Sequence, residues 1–127
     1  MRVLLVPNAG NDAAVEAAAS LATWLTGIGC EPFMTPADAE AARMPALAAP
    51  SLGGADPALA IALGGDGTIL KAFHALGEAE VPLLGVKFGR LGFLSGATPD
   101  TMRPAVEAAL AGEAPIERRA TLRAESA

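Results

Sequence analysis

Apolar residues along the chain fall into short continuous runs that alternate with segments of helical periodicity. The runs at residues 2–6 and 58–63 are aliphatic and are followed by turn-forming residues, a pattern typical of strands buried on both faces. Residues 30–35 and 81–86 form two further runs, and Pro32 restricts the first of them to a sheet edge or to the start of its strand. The pattern therefore predicts a sheet built from these runs.

The segments between these runs carry apolar residues every three or four positions, as amphipathic helices do. The first helix should follow a cap at Asn11 or Asp12 and end near Gly27 or Gly29. Residues 37–44 have room for one or two helical turns, and another helix should begin at Thr68. The apolar faces of the two longer helices are expected to contain Val15, Ala18, Leu21, Ala22, Leu25, Ile69, Phe73 and Leu76.

A last helix is predicted for residues 98–111. Thr98 suits its N-cap, Pro99 its first position and Gly112 its end. Pro104 removes a hydrogen bond from a helix interior, so it favours a later start or a bend in the first turn.

The alternation of strands and helices predicts the α/β class, with a doubly wound parallel sheet covered by helices on both faces. We assign residues 1–115 to one such domain and residues 116–127, where a new extended segment begins, to a connection leading out of it. A chain of 127 residues is long enough to bury a substantial core, in which Trp24 and Cys30 are expected to lie.

Charge and cysteine content narrow the classes of partner. The formal net charge of −5 argues against nucleic acid or an anionic membrane surface, because both select for clustered lysine and arginine. The single Cys30 cannot form an internal disulfide, which favours a reducing compartment. The sequence contains no signal-peptide pattern and no apolar run of ~18 residues. We therefore expect a soluble, cytoplasmic protein.

The candidate site is the sequence Gly-Gly-Asp-Gly-Thr at residues 64–68, called the 64–68 loop below. It follows a predicted buried strand and opens a helix, which is where α/β proteins bind ligands. Glycines allow backbone amides to approach a phosphate, and a helix N-terminus favours an anion. Asp66 does not fit phosphate binding alone, because a carboxylate repels phosphate and needs a hydroxyl or a metal as its partner. From residue types alone, a simple turn is an equally good interpretation.

Two common nucleotide-binding motifs are excluded. The third glycine of G-x-G-x-x-G would fall at Leu70, and the chain has no Gly-Lys-Ser/Thr run of the P-loop type.

Two motifs carry a resemblance to the NAD kinase family. Residues 63–70 (LGGDGTIL) resemble its GGDGT signature, which diacylglycerol and sphingosine kinases share and phosphofructokinases share more loosely. Residues 85–94 (GVKFGRLGFL) resemble the NAD kinase segment G-[IV]-N-x-G-x-L-G-F-L, although Lys87 stands where asparagine is usual. Residues 112–119 resemble the family's stretch between its two domains. The chain thus resembles the amino-terminal domain of an NAD kinase.

The resemblance implies a Rossmann-like or phosphofructokinase-like kinase domain that transfers a phosphoryl group from ATP, or from polyphosphate in some members, to the ribose 2′-hydroxyl of NAD. Asp66 matches the family's proposed proton acceptor, and we expect Asp66→Asn to leave stability almost unchanged because turns tolerate both residues. The nucleotide-binding residues implied by the family are Gly64, Gly65, Asp66, Gly67, Thr68, Lys71 and Phe93.

The resemblance also implies a metal ion bound with ATP, a further β-rich domain and an oligomeric state. Mg²⁺ should enter with ATP and be held mostly by phosphates and water, so we expect no metal cluster of protein side chains. Family members continue into a β-rich domain that holds much of the NAD and is absent from this chain. We therefore expect the 127-residue chain alone to be inactive and the full-length protein to form a homo-oligomer.

Two alternatives remain at this stage. The chain could be a non-catalytic nucleotide-binding homologue, which the intact Asp66 and Thr68 oppose. A lipid kinase of the diacylglycerol type is disfavoured by residues 90–94 (RLGFL). A surface or packing role is the simpler interpretation of His74.

Overall fold

A computed structural model describes residues 1–49, 57–77, 81–88, 98 and 101–112 of the chain. Within them, one parallel sheet contains four strands in the order β2-β1-β3-β4. The predicted α/β class is confirmed. The strands are β1 (Arg2–Pro7), β2 (Glu31–Phe33), β3 (Leu59–Gly64) and β4 (Leu83–Lys87).

Helices cover both faces of this sheet. They are α1 (Asp12–Gly27), α2 (Pro36–Ala41), α3 (Asp66–Leu76) and α4 (Met102–Leu110), with a short 3₁₀ turn at Pro45–Leu47. α1 and α4 pack with one set of strand side chains, which includes Val3, Leu5 and Ile61. α3 packs with the opposite set, which includes Leu4 and Val6. Because successive strand side chains point to opposite faces, this division confirms the doubly wound arrangement.

Local sequence explains where the first two helices begin. The side chain of Asn11 accepts a hydrogen bond from the amide of Ala14 at 3.1 Å, so it is the N-cap of α1. The hydroxyl of Thr35 accepts from the amide of Asp38 in the same way and caps α2. Each cap satisfies one of the first amides of its helix, which have no intrahelical acceptor.

The start predicted for α3 was wrong. The helix begins at Asp66, with Gly65 as its N-cap, because the amides of both Thr68 and Ile69 donate to the carbonyl of Gly65. Asp66 and Gly67 therefore belong to the first helical turn, where a carboxylate is stabilised by the helix dipole. Most of the 64–68 loop is thus helix N-terminus.

The cap predicted at Thr98 is too early for α4, and the later start that Pro104 favours is observed. The helix begins at Met102 with Thr101 as its N-cap, and the amide of Thr101 donates to the carbonyl of Thr98 at 3.0 Å. This later start places Pro104 in the first turn, where the missing N–H has no intrahelical acceptor to lose.

Strand limits and burial differ from the predictions in three further places. β4 begins after Pro82, which cannot donate to a strand ladder, and β2 ends at Phe33 because Thr35 caps α2. Pro32 lies in this edge strand, as predicted. Trp24 and Cys30 are half-buried and pack against the core from its margin.

Candidate functional site

The 64–68 loop lies at the switch point of the sheet, where successive helices change from one face to the other. β1 and β3 are neighbours, and the helices that follow them pack on opposite faces, so their carboxyl ends border the crevice in which doubly wound proteins bind ligands. The amide of Asn8 donates to the carbonyl of Leu63 at 2.9 Å, and that of Phe88 donates to Gly64 at 2.9 Å. Backbone hydrogen bonds therefore attach the start of the loop to both neighbouring strand ends.

Gly64 is required by packing. A Cβ atom at this position would collide with the hydroxyl of Thr68 and lie 3.0 Å from the Cβ of Asn8. Thr68 is buried and fills the space that a side chain at position 64 would need. The first glycine of the motif thus allows the first turn of α3 to close against the strand end.

Gly65 and Gly67 have a different environment. Apart from the adjacent residues and the backbone of α3 itself, no atom of the described residues lies within 4 Å of a Cβ built at either position, and neither glycine has a positive φ. Neither packing nor backbone conformation in this part of the chain requires glycine there. Both glycines lie at the start of α3, where helix amides and the helix dipole attract anions. Glycine at these positions leaves the backbone accessible to an anionic group such as a phosphate.

Asp66 forms an ion pair with Lys87. Lys87 is the last residue of β4 and pairs with Gly64 in the strand register, so its backbone lies beside the loop. Its side chain is only 4% exposed, whereas that of Asp66 is 39% exposed. The site therefore contains a solvent-accessible carboxylate held from below by a buried ammonium group.

The distance between α3 and the sheet depends on a second glycine. A Cβ at position 85 of β4 would lie 2.8 Å from Cδ1 of Ile69, a buried residue of α3. The absence of a side chain at Gly85 lets α3 approach the sheet next to Lys87. This close approach brings the first turn of α3 within reach of the lysine.

Lys71 pairs with Asp38 of α2, with Nζ and Oδ1 separated by 2.5 Å. The Asp38 side chain is 6% exposed and that of Lys71 is 53% exposed. The pair connects α2 to α3 across 33 positions of sequence. A nucleotide contact by Lys71 stays a prediction, and the structure adds a carboxylate that holds its ammonium group.

Phe93 and His74 were also considered in the sequence analysis. Phe93 lies outside the described residues, and His74 is exposed on α3. Within the described ranges, no three His, Cys, Asp or Glu side chains are grouped so that they could hold a metal ion. No helix in the same ranges is long and apolar enough to cross a bilayer.

Sequence reasoning missed Asn8 and Asp38 and gave Lys87 no partner. Asn8 was seen only as part of a turn, although its place after β1 puts it at the crevice. Asp38 was seen only as a residue of a short helical segment. The segment contains both Asp38 and Glu40, and only the fold shows that Asp38 is the buried one and needs a cationic partner.

A doubly wound parallel domain with a glycine-rich helix N-terminus at its switch point belongs to the class of nucleotide-binding α/β domains. The sequence matches the ATP-NAD kinase N-terminal domain over residues 3–114. The chain belongs to this family.

Individual relatives agree with this assignment. The chain is 36% identical to the NAD kinase of Nitratidesulfovibrio vulgaris strain DP4 over 95% of its own length and 38% of that protein. It is 41% identical to the NAD kinase of Nitrosomonas europaea over 84% of its length and 36% of that protein. The crystal structure of yeast NADH kinase complexed with NADH matches 90% of the chain and 39% of its own, with a TM-score of 0.72 and 21% identity. The last match is evidence for the fold alone, and the chain spans less than two-fifths of each of these proteins.

Proposed function

We propose that the protein transfers the γ-phosphoryl group of ATP to the 2′-hydroxyl of the adenosine ribose of NAD, giving NADP and ADP. The observation that carries this proposal is the 64–68 loop, with its open glycine positions, at the switch point of a domain of the NAD kinase family. The same family membership supports NAD as the acceptor.

The reaction breaks the bond between the γ-phosphorus and the β,γ-bridging oxygen and forms a bond from that phosphorus to the ribose oxygen. The ribose hydroxyl loses its proton, and Asp66 is our candidate for the acceptor. An aspartate carboxylate is far too weak a base to ionise a ribose hydroxyl beforehand. Asp66 therefore orients the hydroxyl and takes the proton late, as a loose phosphoryl-transfer transition state allows.

The glycines of the 64–68 loop would allow the backbone to bind the phosphates of ATP. Backbone amides at the start of α3 can donate to phosphoryl oxygens only if no side chain stands between them, and the free space at Gly65 and Gly67 meets this condition. Lys71 and Phe93 are proposed as further nucleotide contacts. Mg²⁺ would enter as part of the substrate, held by phosphate oxygens and water.

The cellular location and the oligomeric state of the protein are further parts of this proposal. We place the protein in the cytoplasm, where ATP and NAD are available, and propose that the whole protein works as a homo-oligomer. Analytical ultracentrifugation of the whole gene product tests the assembly, and a monomer at micromolar concentration would contradict it.

A second candidate function is nucleotide binding without turnover. The observation that favours it is the ion pair of Asp66, because a carboxylate committed to Lys87 is less available to a ribose hydroxyl. The two functions differ in product and share the same site.

The deciding experiment measures NADP formation by the whole gene product with ATP, Mg²⁺ and NAD. Isothermal titration of the same preparation with ATP gives binding separately. We expect both binding and turnover, and loss of turnover in Asp66→Asn. ATP binding without NADP formation by the wild-type protein would select the non-catalytic function.

A further inference from the structure

The buried ammonium group of Lys87 has no role in the mechanism derived so far. A charged side chain is rarely 4% exposed, because transfer of an ammonium group out of water is costly unless a counter-charge is close. A buried lysine at the end of a strand therefore needs a reason, and the residue it contacts is the proposed proton acceptor.

The position of this ammonium group is fixed by the sheet. Lys87 of β4 pairs with Gly64 of β3 in the strand register, and the amide of the next residue, Phe88, donates to the carbonyl of Gly64. Gly85, two positions before it, lets α3 lie close to β4. The strand register therefore positions the Lys87 ammonium group next to Asp66 in the first turn of α3.

We propose that Lys87 is a positioning residue for phosphoryl transfer: it holds the Asp66 carboxylate toward the acceptor hydroxyl and offsets its negative charge against the incoming triphosphate. This inference rests on the proposed function. The role proposed for Lys87 explains how the Asp66 carboxylate, which repels phosphate, can stand among amides that are proposed to bind phosphate. With Lys87 beneath it, the local formal charge of the pair is zero, and the helix amides still attract the phosphates.

The proposal separates two effects of the lysine. As a charge, it should strengthen ATP binding, and Asp66 should weaken it. As a neighbour of the proton acceptor, it favours the ionised carboxylate, so the rate should persist to lower pH than without it. A lysine that only stabilises the fold would produce neither effect.

The test uses three variants of Lys87 and Asp66. Lys87→Met removes the charge at similar volume, Lys87→Arg keeps the charge, and Asp66→Asn/Lys87→Met removes both charges. Arg103→Met is the matched control, because Arg103 is an exposed cation on α4 that contacts Ser20 away from the loop. ATP affinity is measured by titration of the 127-residue chain, and kcat and KM are measured against pH on the whole gene product.

We expect Lys87→Met to weaken ATP binding about tenfold and the double variant to recover most of that loss. The acidic limb of the kcat profile of Lys87→Met should move to higher pH, since a carboxylate without its cation is protonated more easily. Lys87→Arg should restore the wild-type position of the limb, and Arg103→Met should match the wild type throughout.

The inference is overturned if Lys87→Met lowers only the melting temperature while ATP affinity and the pH profile keep their wild-type values. Failure of the proposed function has a different signature: the wild-type protein makes no NADP. In that case the ATP titrations still decide whether Lys87 offsets Asp66, and independent effects of the two substitutions would refute it.

Discussion

Asp66→Asn should destabilise the fold, contrary to what the turn-like sequence implies. The substitution keeps the shape of the side chain but removes the counter-charge of an ammonium group that is 4% exposed. Breaking a fully buried pair costs about 3–5 kcal/mol. Because Asp66 itself is 39% exposed, water screens part of the interaction, and we expect the free energy of unfolding to fall by about 1–3 kcal/mol.

Asp12→Asn is a matched control for this prediction. Asp12 occupies the first position of α1, as Asp66 does in α3, and it is exposed. Its substitution removes only the interaction of a carboxylate with the helix dipole, which contributes about 0.3–1 kcal/mol. We therefore expect a larger loss of stability for Asp66→Asn than for Asp12→Asn, because, of these two acids, Asp66 is the one that contacts a buried ammonium group in the described part of the chain.

Urea denaturation followed by circular dichroism measures both free energies. The double variant Asp66→Asn/Lys87→Met should regain most of the lost stability, because it leaves no buried charge without a partner. Equal losses for Asp66→Asn and Asp12→Asn would refute the reasoning. In the whole gene product, Asp66→Asn should also lower kcat by about 10²–10⁴-fold, the usual contribution of a general base.

Three further predictions concern the chain as a whole, the loop and a helix end. The 127-residue chain alone should form little NADP in a coupled assay, since its relatives extend far beyond the matched region; robust turnover would contradict this. Gly64→Ala should lower the urea midpoint, because the new Cβ would collide with Thr68. Gly65→Ala should keep the wild-type midpoint and weaken ATP binding. Equal midpoints for the two variants would contradict the packing argument. Arg43 has a φ of 61°, a left-handed conformation that is unfavourable for a residue with a Cβ atom. Arg43→Gly should remove this cost but adds the conformational entropy of glycine in the unfolded chain, so the free energy of unfolding should rise by about 0.5–1 kcal/mol. A loss of stability would contradict this prediction.

The sheet could be predicted from the sequence because its information is local. Runs of aliphatic residues at 2–6 and 58–63 become strands buried on both faces, and Pro32 identifies the edge strand. The periodicity of the segments between them gives the helices. Helix starts were less accurate, since Asp66 and Gly67 have turn-like propensities that the first turn of α3 overrides.

The electrostatics of the site could not be predicted in the same way. Lys87 and Asp66 are 21 positions apart, and Lys71 and Asp38 are 33 apart. Which charges meet depends on strand order and on how closely α3 approaches the sheet, neither of which is encoded in local pattern. The motif marked Asp66 as a candidate residue, whereas only the fold reveals the cation beside it.

The contact between Gly85 and Ile69 has an evolutionary consequence. Because a methyl group at position 85 would lie 2.8 Å from the end of Ile69, the two positions share one limited volume. Substitution at either position should therefore depend on the other during divergence. Homologues with alanine at position 85 should carry a smaller side chain at position 69, and those that keep isoleucine there should keep the glycine.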